Sequence, residues 1–177
     1  MPSHFDVVII GSGAGGSTLA QRLAPTGKSI LILERGPHLP REAENWDPHA
    51  VFVQHRYRTQ ERWYDKHGRP FTPNTHYWVG GNTTFYGAAL FRLRNRDFEE
   101  TVHAGGISPA WPIRLSALSS YYDEAEKLWQ VHGARGDDPT ENGDEPPYPY
   151  AAVHHDPGVA ALKAHWEAQG WRPFSLP

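Results

Sequence analysis

Two short apolar runs flank a glycine-rich turn near the start of the chain. The first run, Phe5–Ile10, is mostly β-branched, as expected of a strand buried on both faces of a parallel sheet. After the turn, apolar residues recur every three to four positions, which predicts a short helix ended by Pro25 and Gly27. The second run, Ser29–Leu33, predicts a second strand. This order predicts one right-handed βαβ unit in an α/β fold.

The rest of the chain is less regular. Residues 37–75 follow neither a helical nor a strand period, so we expect a long excursion with short irregular elements. Residues Ser116–Val131 have apolar side chains at helical spacing and predict the clearest amphipathic helix. A last helix is predicted with Asp156 as its N-cap, Pro157 as its first residue and an end near Gly170.

Charged and aromatic positions indicate which parts face solvent. The charges of Arg92–Glu100 alternate in sign, which favours a solvated surface. Residues 133–150 are acidic and rich in proline and glycine, which predicts a solvated loop. Trp129 and Trp166 lie on the apolar faces of the two predicted helices, so we expect both in the core.

Composition narrows the function classes. The 177 residues include 17 basic and 20 acidic ones, and no basic stripe or cluster indicates nucleic acid or a membrane surface as partner. There is no cysteine, which removes thiolate chemistry. The sequence shows neither a signal peptide nor a membrane-spanning apolar stretch, so we expect a cytoplasmic protein. His154 and His155 lack a third metal ligand at a suitable spacing, so we predict no metal site.

The glycine-rich turn carries the strongest chemical signal. It matches G-x-G-x-x-G between a strand and a helix, where Gly11 permits the turn, Gly13 lets backbone approach a pyrophosphate, and Gly16 lets helix and strand pack closely. Glu34 ends the second strand, where a carboxylate accepts hydrogen bonds from ribose hydroxyls and disfavours a 2′-phosphate. The spacing alone leaves FAD and NAD open. The candidate nucleotide-binding residues of this Rossmann-like unit are Gly11, Ser12, Gly13, Ala14, Gly15, Gly16 and Glu34.

Three segments together resemble one enzyme family. FDVVIIGSGAGGSTLAQRLAPTGKSILILERG, VGGNTTFYGAALFRLRNRDF and SPAWPIRLSALSSYYDEAEKLWQVHG are similar, in this order, to segments of the FAD-dependent glucose–methanol–choline (GMC) oxidoreductases. The first segment occurs in many flavoproteins, whereas the second and third are more specific. The resemblance implies oxidation of an alcohol or sugar CH–OH group by hydride transfer to flavin N5. We expect an FAD-binding domain over residues 1–108 and the start of a substrate-side region over residues 109–177.

The resemblance also implies which further residues bind the cofactor. Arg35 belongs to the Glu-Arg-Gly ending of the first segment, and the second glycine-rich segment lies against the flavin in the family. Some members carry a histidine that bonds covalently to the flavin where this chain has Phe85, or an Asn where it has Tyr86. We therefore expect non-covalent FAD. The additional cofactor-binding candidates are Arg35, Gly80, Gly81, Asn82, Thr83, Gly87 and Ala88.

The family's catalytic base is a histidine near the C-terminal end of a much longer chain, and nothing here matches its motif. We therefore assign no catalytic residue and expect an N-terminal piece of a larger enzyme, inactive without its remainder or a partner subunit. The low apolar fraction of 38% agrees with this expectation. Two alternatives stay open, namely a non-catalytic nucleotide-binding module or subunit and an NAD-dependent dehydrogenase. The electron acceptor and the particular alcohol are not indicated.

Overall fold

The structure is a computed structural model that describes residues 4–85 and 89–177. The chain divides into two compact units, Met1–Gly87 and Ala88–Pro177. Compactness and function are different properties, so the predicted functional boundary after residue 108 stays a prediction. No helix in the described residues is long and apolar enough to cross a membrane.

The first unit opens with the predicted βαβ arrangement. Strand β1 (Val7–Ile10), helix α1 (Ala14–Leu23) and strand β2 (Ile30–Leu33) follow one another, and the two strands pair in parallel with Val7 opposite Ile30. A 3-10 turn extends α1 and ends at Gly27, whose φ of 71° lies in the left-handed region that glycine favours. The α/β, Rossmann-like fold predicted from the apolar pattern is therefore confirmed.

This small sheet keeps much of its apolar surface in solvent. Ile10 is 86% exposed, Val8 52% and Leu33 48%. Within residues 4–85 and 89–177, β1 and β2 pair only with each other. Parallel sheets are normally covered on both faces, so these side chains form an open apolar surface.

The excursion after β2 consists of short elements, as expected. It contains a 3-10 turn, Ala43–Trp46, a π-helical turn, His49–Val53, and an antiparallel pair of strands β3 (Trp63–Tyr64) and β4 (Pro70–Phe71). Ala50, Val51 and Tyr57 are buried in this region. The excursion therefore supplies most of the interior of the first unit.

The second unit contains two pairs of short strands and two helices. Its elements are strands β5 (Thr101–His103) and β6 (Gly106–Ser108), helix α2 (Ser119–Leu128), strands β7 (His132–Gly133) and β8 (Tyr150–Ala151), and helix α3 (Pro157–Ala168). Strands β5 and β6 form an antiparallel hairpin, and β7 pairs with β8 in parallel. Helix α2 is shorter than predicted, because a 3-10 turn, Leu115–Ala117, precedes it.

Helix α3 begins and ends as its sequence predicts. The Asp156 carboxylate accepts a hydrogen bond from the Gly158 amide at 2.8 Å and so caps the first turn. At the other end Gly170 has a φ of 84°, and the Trp171 amide donates to the Trp166 carbonyl at 3.1 Å. This is a Schellman ending, which pairs carbonyl groups that the helix would otherwise leave unpaired.

The predicted solvated surface at Arg92–Glu100 is wrong at two of its charged positions. Arg92 is 3% exposed and Arg94 8%. The Arg92 guanidinium donates to both Glu126 oxygens at 2.7 Å and to Asp123 at 2.7 Å, while Arg94 donates to Asp138 at 2.6 Å. Both arginines are buried because carboxylates distant in sequence pair with them.

The acidic segment 133–150 is likewise not simply solvated. The guanidinium of Arg135 lies 3.6 Å from the Tyr148 ring centroid and forms ion pairs with Glu141 at 3.0 Å and Glu145 at 2.9 Å. These carboxylates fold inward, so the second unit has a charged interior. We call Arg92, Arg94, Arg135 and their carboxylate partners the arginine cluster.

The expectation that Trp129 and Trp166 lie in the core is also wrong. Their exposed fractions are 40% and 44%. The buried residue of α2 is Glu126, which belongs to the arginine cluster, and α3 has no buried residue in the described part of the chain. The apolar spacing thus identified the helices correctly but not the side chains that they bury.

Candidate functional site

The glycine loop between β1 and α1 is a tight turn that excludes side chains. Gly11 has a φ of 92°, which glycine adopts without strain. A Cβ atom on Gly16 would lie 2.0 Å from the Gly11 carbonyl oxygen and 3.1 Å from the Ile9 side chain. A Cβ on Gly11 or Gly15 would instead meet open space. The loop is therefore closed towards β1 and open on another side.

The start of α1 has the features of an anion-binding helix end. Gly13 is the N-cap and offers no side-chain acceptor to the first helical amides. The Ser17 amide bonds to the Gly13 carbonyl at 2.9 Å, and the Ser17 hydroxyl bonds to the Ser12 carbonyl at 2.6 Å. The first amides of a ten-residue helix thus remain for solvent or ligand, at the positive end of the helix dipole.

The Glu34 carboxylate lies directly against the glycine loop. Its Oε2 accepts from the Ser12 amide at 2.9 Å and from the Ser12 hydroxyl at 2.7 Å. Its Oε1 accepts from the amides of Arg35 at 2.8 Å and Gly36 at 3.2 Å. The Ser12 hydroxyl, followed by the Ser12 amide, lowers the pKa of Glu34 to about 2. The carboxylate is therefore held ionised.

This lowered pKa predicts how acid affects stability. Glu34 ordinarily titrates at 4.5 and in the folded chain at about 2, so its stabilising contribution is present above the higher value and is lost as pH falls towards the lower one. We expect Glu34→Gln to be less stable than wild type near neutral pH, with a difference that shrinks in acid. The free energy of unfolding of both proteins, measured between about pH 7 and pH 3, checks this. A difference that does not vary with pH would contradict it.

The second glycine segment, residues 79–85, lies against the first. The Gly80 amide donates to the Ser12 hydroxyl at 2.8 Å. A Cβ on Gly13 would lie 3.8 Å from the Gly80 carbonyl oxygen, and one on Gly81 3.8 Å from the Gly13 Cα. Gly80 and Gly81 have φ values of 97° and 58°, which again favour glycine. The structure therefore brings two predicted cofactor segments into direct backbone contact.

The residues that follow β2 pack against Tyr77, just before the second segment. A Cβ on Gly36 would lie 1.9 Å from the Tyr77 carbonyl oxygen. The Arg35 guanidinium lies 3.8 Å from the Tyr77 ring centroid and forms an ion pair with Glu61 at 3.4 Å. Arg35 is thus turned towards Tyr77 and Glu61, and its predicted cofactor role stays a prediction.

The polar residues of the second segment bond to nearby backbone. The Asn82 side-chain oxygen accepts from the His76 amide at 2.8 Å, and the Thr83 hydroxyl donates to the Gly80 carbonyl at 2.5 Å. These bonds hold the backbone of the turn in place. A contact of Asn82 or Thr83 with a cofactor stays a prediction, and Gly87 and Ala88 lie outside the described residues.

An aromatic cluster that was not predicted from the sequence supports the second segment. The Phe85 ring stacks on Tyr57 at 4.7 Å between centroids and lies 5.2 Å from the His76 ring. The Trp78 indole donates to the Tyr57 carbonyl at 3.0 Å. The density of aromatic residues between 46 and 85 was a signal for it. A pocket of about 300 Å³ borders this cluster and is lined by Asn45, Trp46, Pro48, Val51, Phe52, Thr84 and Phe85.

Comparisons with known proteins agree with this geometry. The sequence model of the NAD(P)-binding Rossmann-like domain matches residues 9–60. Paromamine 6′-oxidase of Streptomyces fradiae is 34% identical over 175 residues, which are 98% of this chain and 30% of the relative. The 6‴-hydroxyparomomycin C oxidase of Streptomyces lividus is 35% identical over 187 residues, 98% of this chain and 31% of the relative.

A third relative is the 2-methyl-1,2-propanediol dehydrogenase of Mycolicibacterium austroafricanum, 31% identical over 166 residues, 87% of this chain and 28% of the relative. The chain thus spans about three-tenths of the length of the curated relatives that it matches. These relatives are GMC-type oxidoreductases that act on alcohol or sugar groups. A Rossmann-like domain within such enzymes points to a flavin cofactor. Over nearly its whole length the chain is similar to these GMC-type oxidoreductases.

Proposed function

We propose that this chain forms the FAD-binding part of an oxidoreductase that oxidises a CH–OH group of an alcohol or sugar. One observation carries the proposal: the second glycine segment lies on the nucleotide loop, with the Gly80 amide 2.8 Å from the Ser12 hydroxyl. Binding of a dinucleotide explains the glycines of the first segment but not those of the second. The second segment adds a glycine-rich stretch of backbone beside that loop. A flat ring that belongs to the same dinucleotide could lie against this backbone.

The residues present fit such a cofactor. The loop is open above Gly11 and Gly15, where added Cβ atoms would meet nothing within 4 Å. The amides at the start of α1 would bind the pyrophosphate, and Glu34 would orient the ribose. Bound flavin would supply the hydride acceptor for the carbinol carbon. The proposed cofactor-binding residues are Gly11, Ser12, Gly13, Ala14, Gly15, Gly16, Glu34, Arg35, Gly80, Gly81, Asn82, Thr83, Gly87 and Ala88.

The remaining parts of the reaction require groups that we do not assign to this chain. The base that takes the hydroxyl proton has no match in its sequence. We propose that the remainder of the enzyme or a partner subunit supplies that base and the substrate walls. The relatives, which are oxidases and dehydrogenases of alcohol or sugar groups, support a small alcohol or sugar as substrate.

Anaerobic mixing of the holoenzyme with alcohols and sugars tests the proposed reaction. We expect the visible flavin absorption to bleach with a subset of these compounds, and to return when an electron acceptor is added. The matched control is the ketone of a simple secondary alcohol, which lacks the carbinol C–H bond and is expected to leave the flavin oxidised. A flavin that NADH reduces and no alcohol or sugar reduces would contradict an alcohol oxidoreductase.

We further propose that the FAD is dissociable. Phe85 occupies the position of the family's flavin-linked histidine, and its ring is engaged with Tyr57. A phenyl ring has no nucleophile for a bond to flavin, and Tyr86 lies outside the described residues. Precipitation of the holoenzyme with acid is expected to leave the flavin in the supernatant. Flavin that stays with the washed, denatured pellet would contradict this.

A further inference from the structure

Ser12 occupies a position between the two halves of the proposed site. Its side chain is largely buried, and the residue is 9% exposed. The hydroxyl donates to Glu34 Oε2 at 2.7 Å and accepts from the Gly80 amide at 2.8 Å. A serine hydroxyl has one proton to donate and two acceptor sites, so one side chain makes both bonds at once. Ser12 therefore joins the ribose-side carboxylate to the second glycine segment.

We propose that Ser12 is a positioning residue that couples ribose binding at Glu34 to the placement of the flavin-side segment. This inference rests on the proposed function and concerns the same site. The two residues that Ser12 would couple are distant from it in sequence, since Glu34 is 22 positions away and Gly80 is 68 positions away. The Ser12 hydroxyl thus bonds to both elements at once, beside the backbone bond from the Val79 amide to the Pro37 carbonyl at 3.0 Å.

The hydrogen bonds of Glu34 explain why the hydroxyl responds to a ligand. A carboxylate has about four acceptor sites, and four donors of the chain already bond to this one. Three of them are backbone amides, of Ser12, Arg35 and Gly36, whose positions the loop and β2 fix. The fourth is the Ser12 hydroxyl, whose hydrogen can rotate about the Cβ–Oγ bond towards another acceptor. A ribose hydroxyl that reaches Glu34 therefore competes first with Ser12.

Movement of this hydroxyl acts directly on the second segment. The Gly80 amide is bonded to it, and Gly80 is the residue with a φ of 97° at which the 3-10 turn Gly81–Thr84 begins. When the Ser12 hydroxyl turns from Glu34, its lone pairs are presented differently to that amide. The backbone that follows is the part proposed to lie against the flavin ring.

The Ser17 hydroxyl provides a matched control in the same loop. It donates to the Ser12 carbonyl at 2.6 Å, so its removal also costs the glycine loop a hydrogen bond. It does not join Glu34 to Gly80. A general loosening of the loop would affect Ser12→Ala and Ser17→Ala alike, whereas the proposed coupling depends on Ser12 alone.

The test compares the holoenzyme with its Ser12→Ala, Ser12→Thr and Ser17→Ala variants. The readouts are the visible flavin spectrum and the rate of flavin release after dilution. Loss of a hydrogen bond to a charged group predicts roughly tenfold faster release and a shifted flavin band for Ser12→Ala. Ser12→Thr keeps the hydroxyl and is expected to restore both readouts. Ser17→Ala is expected to keep the wild-type spectrum.

A double-variant cycle tests the coupling itself. If the hydroxyl transmits the state of Glu34, Glu34→Gln accelerates flavin release less in the Ser12→Ala background than in wild type. Additive effects would overturn the coupling, as would a Ser12→Ala variant identical to wild type in spectrum and release. Should Ser12→Ala not fold, Ser12→Cys replaces it, and wild-type release from that variant would overturn the inference. A wild-type enzyme that is purified without flavin and does not bind added FAD would instead refute the proposed function.

Discussion

Replacing Arg92 by alanine is expected to unfold the second compact unit or to destabilise it by about 3–5 kcal/mol. The Arg92 side chain is 2% exposed and neutralises Glu126, which is 6% exposed, at 2.7 Å. Its bonds to Glu126, and then to Asp123, raise the pKa of Arg92 above its ordinary value. Alanine would leave the buried Glu126 carboxylate with Arg135 as its remaining partner in the described residues, at 3.2 Å.

Thermal and denaturant unfolding of the protein, followed by circular dichroism, measures this effect. Arg96 is the matched control, since it lies in the same segment but is exposed, and Arg96→Ala should change stability by less than about 0.5 kcal/mol. The double change Arg92→Met with Glu126→Leu should recover part of the loss, because it removes both charges together. Equal stability of the Arg92→Ala and Arg96→Ala variants would contradict a charged interior.

The Gly16→Ala variant is expected to lose flavin and to be destabilised by on the order of 3 kcal/mol. Its added Cβ would lie 2.0 Å from the Gly11 carbonyl oxygen, which is backbone and can move only if the turn itself moves. The turn holds the proposed pyrophosphate site, so relief of the clash deforms that site. Both the melting temperature and the ratio of flavin to protein are therefore expected to fall.

Gly15→Ala is the control for this change. Gly15 is also within α1, but a Cβ there would meet nothing within 4 Å in the protein. Alanine is better than glycine inside a helix by roughly 0.5–1 kcal/mol, so the variant should melt at the wild-type temperature or above it. Equal melting temperatures of the Gly16→Ala and Gly15→Ala variants would contradict this account. Close packing of α1 on the glycine turn would then not explain why residue 16 is glycine.

The parts of the fold that sequence predicted well are those with local causes. The βαβ unit follows from two β-branched runs and the glycines between them, and α3 follows from Asp156 and Gly170 at its ends. The hairpin of β5 and β6 was not predicted, although Gly105 and Gly106 mark its turn. Its strands are only three residues long, too short to show a period.

The parts that sequence did not predict depend on distant partners. Arg92 and Glu126 are 34 positions apart, and Arg94 and Asp138 are 44 apart. Alternating charges look the same locally whether they face water or one another in an interior. The bond between Ser12 and Gly80 is also beyond local reasoning, since only the family resemblance placed both segments at one cofactor.

The cofactor of the purified holoenzyme tests the central claim most directly. Its visible absorption spectrum and the mass of the compound released by acid would be measured on the same sample. We expect a yellow protein with an oxidised flavin spectrum, and FAD as the released compound. A colourless protein whose melting temperature rises with NAD, and from which no flavin can be released, would contradict the claim that the two glycine segments form a flavin site.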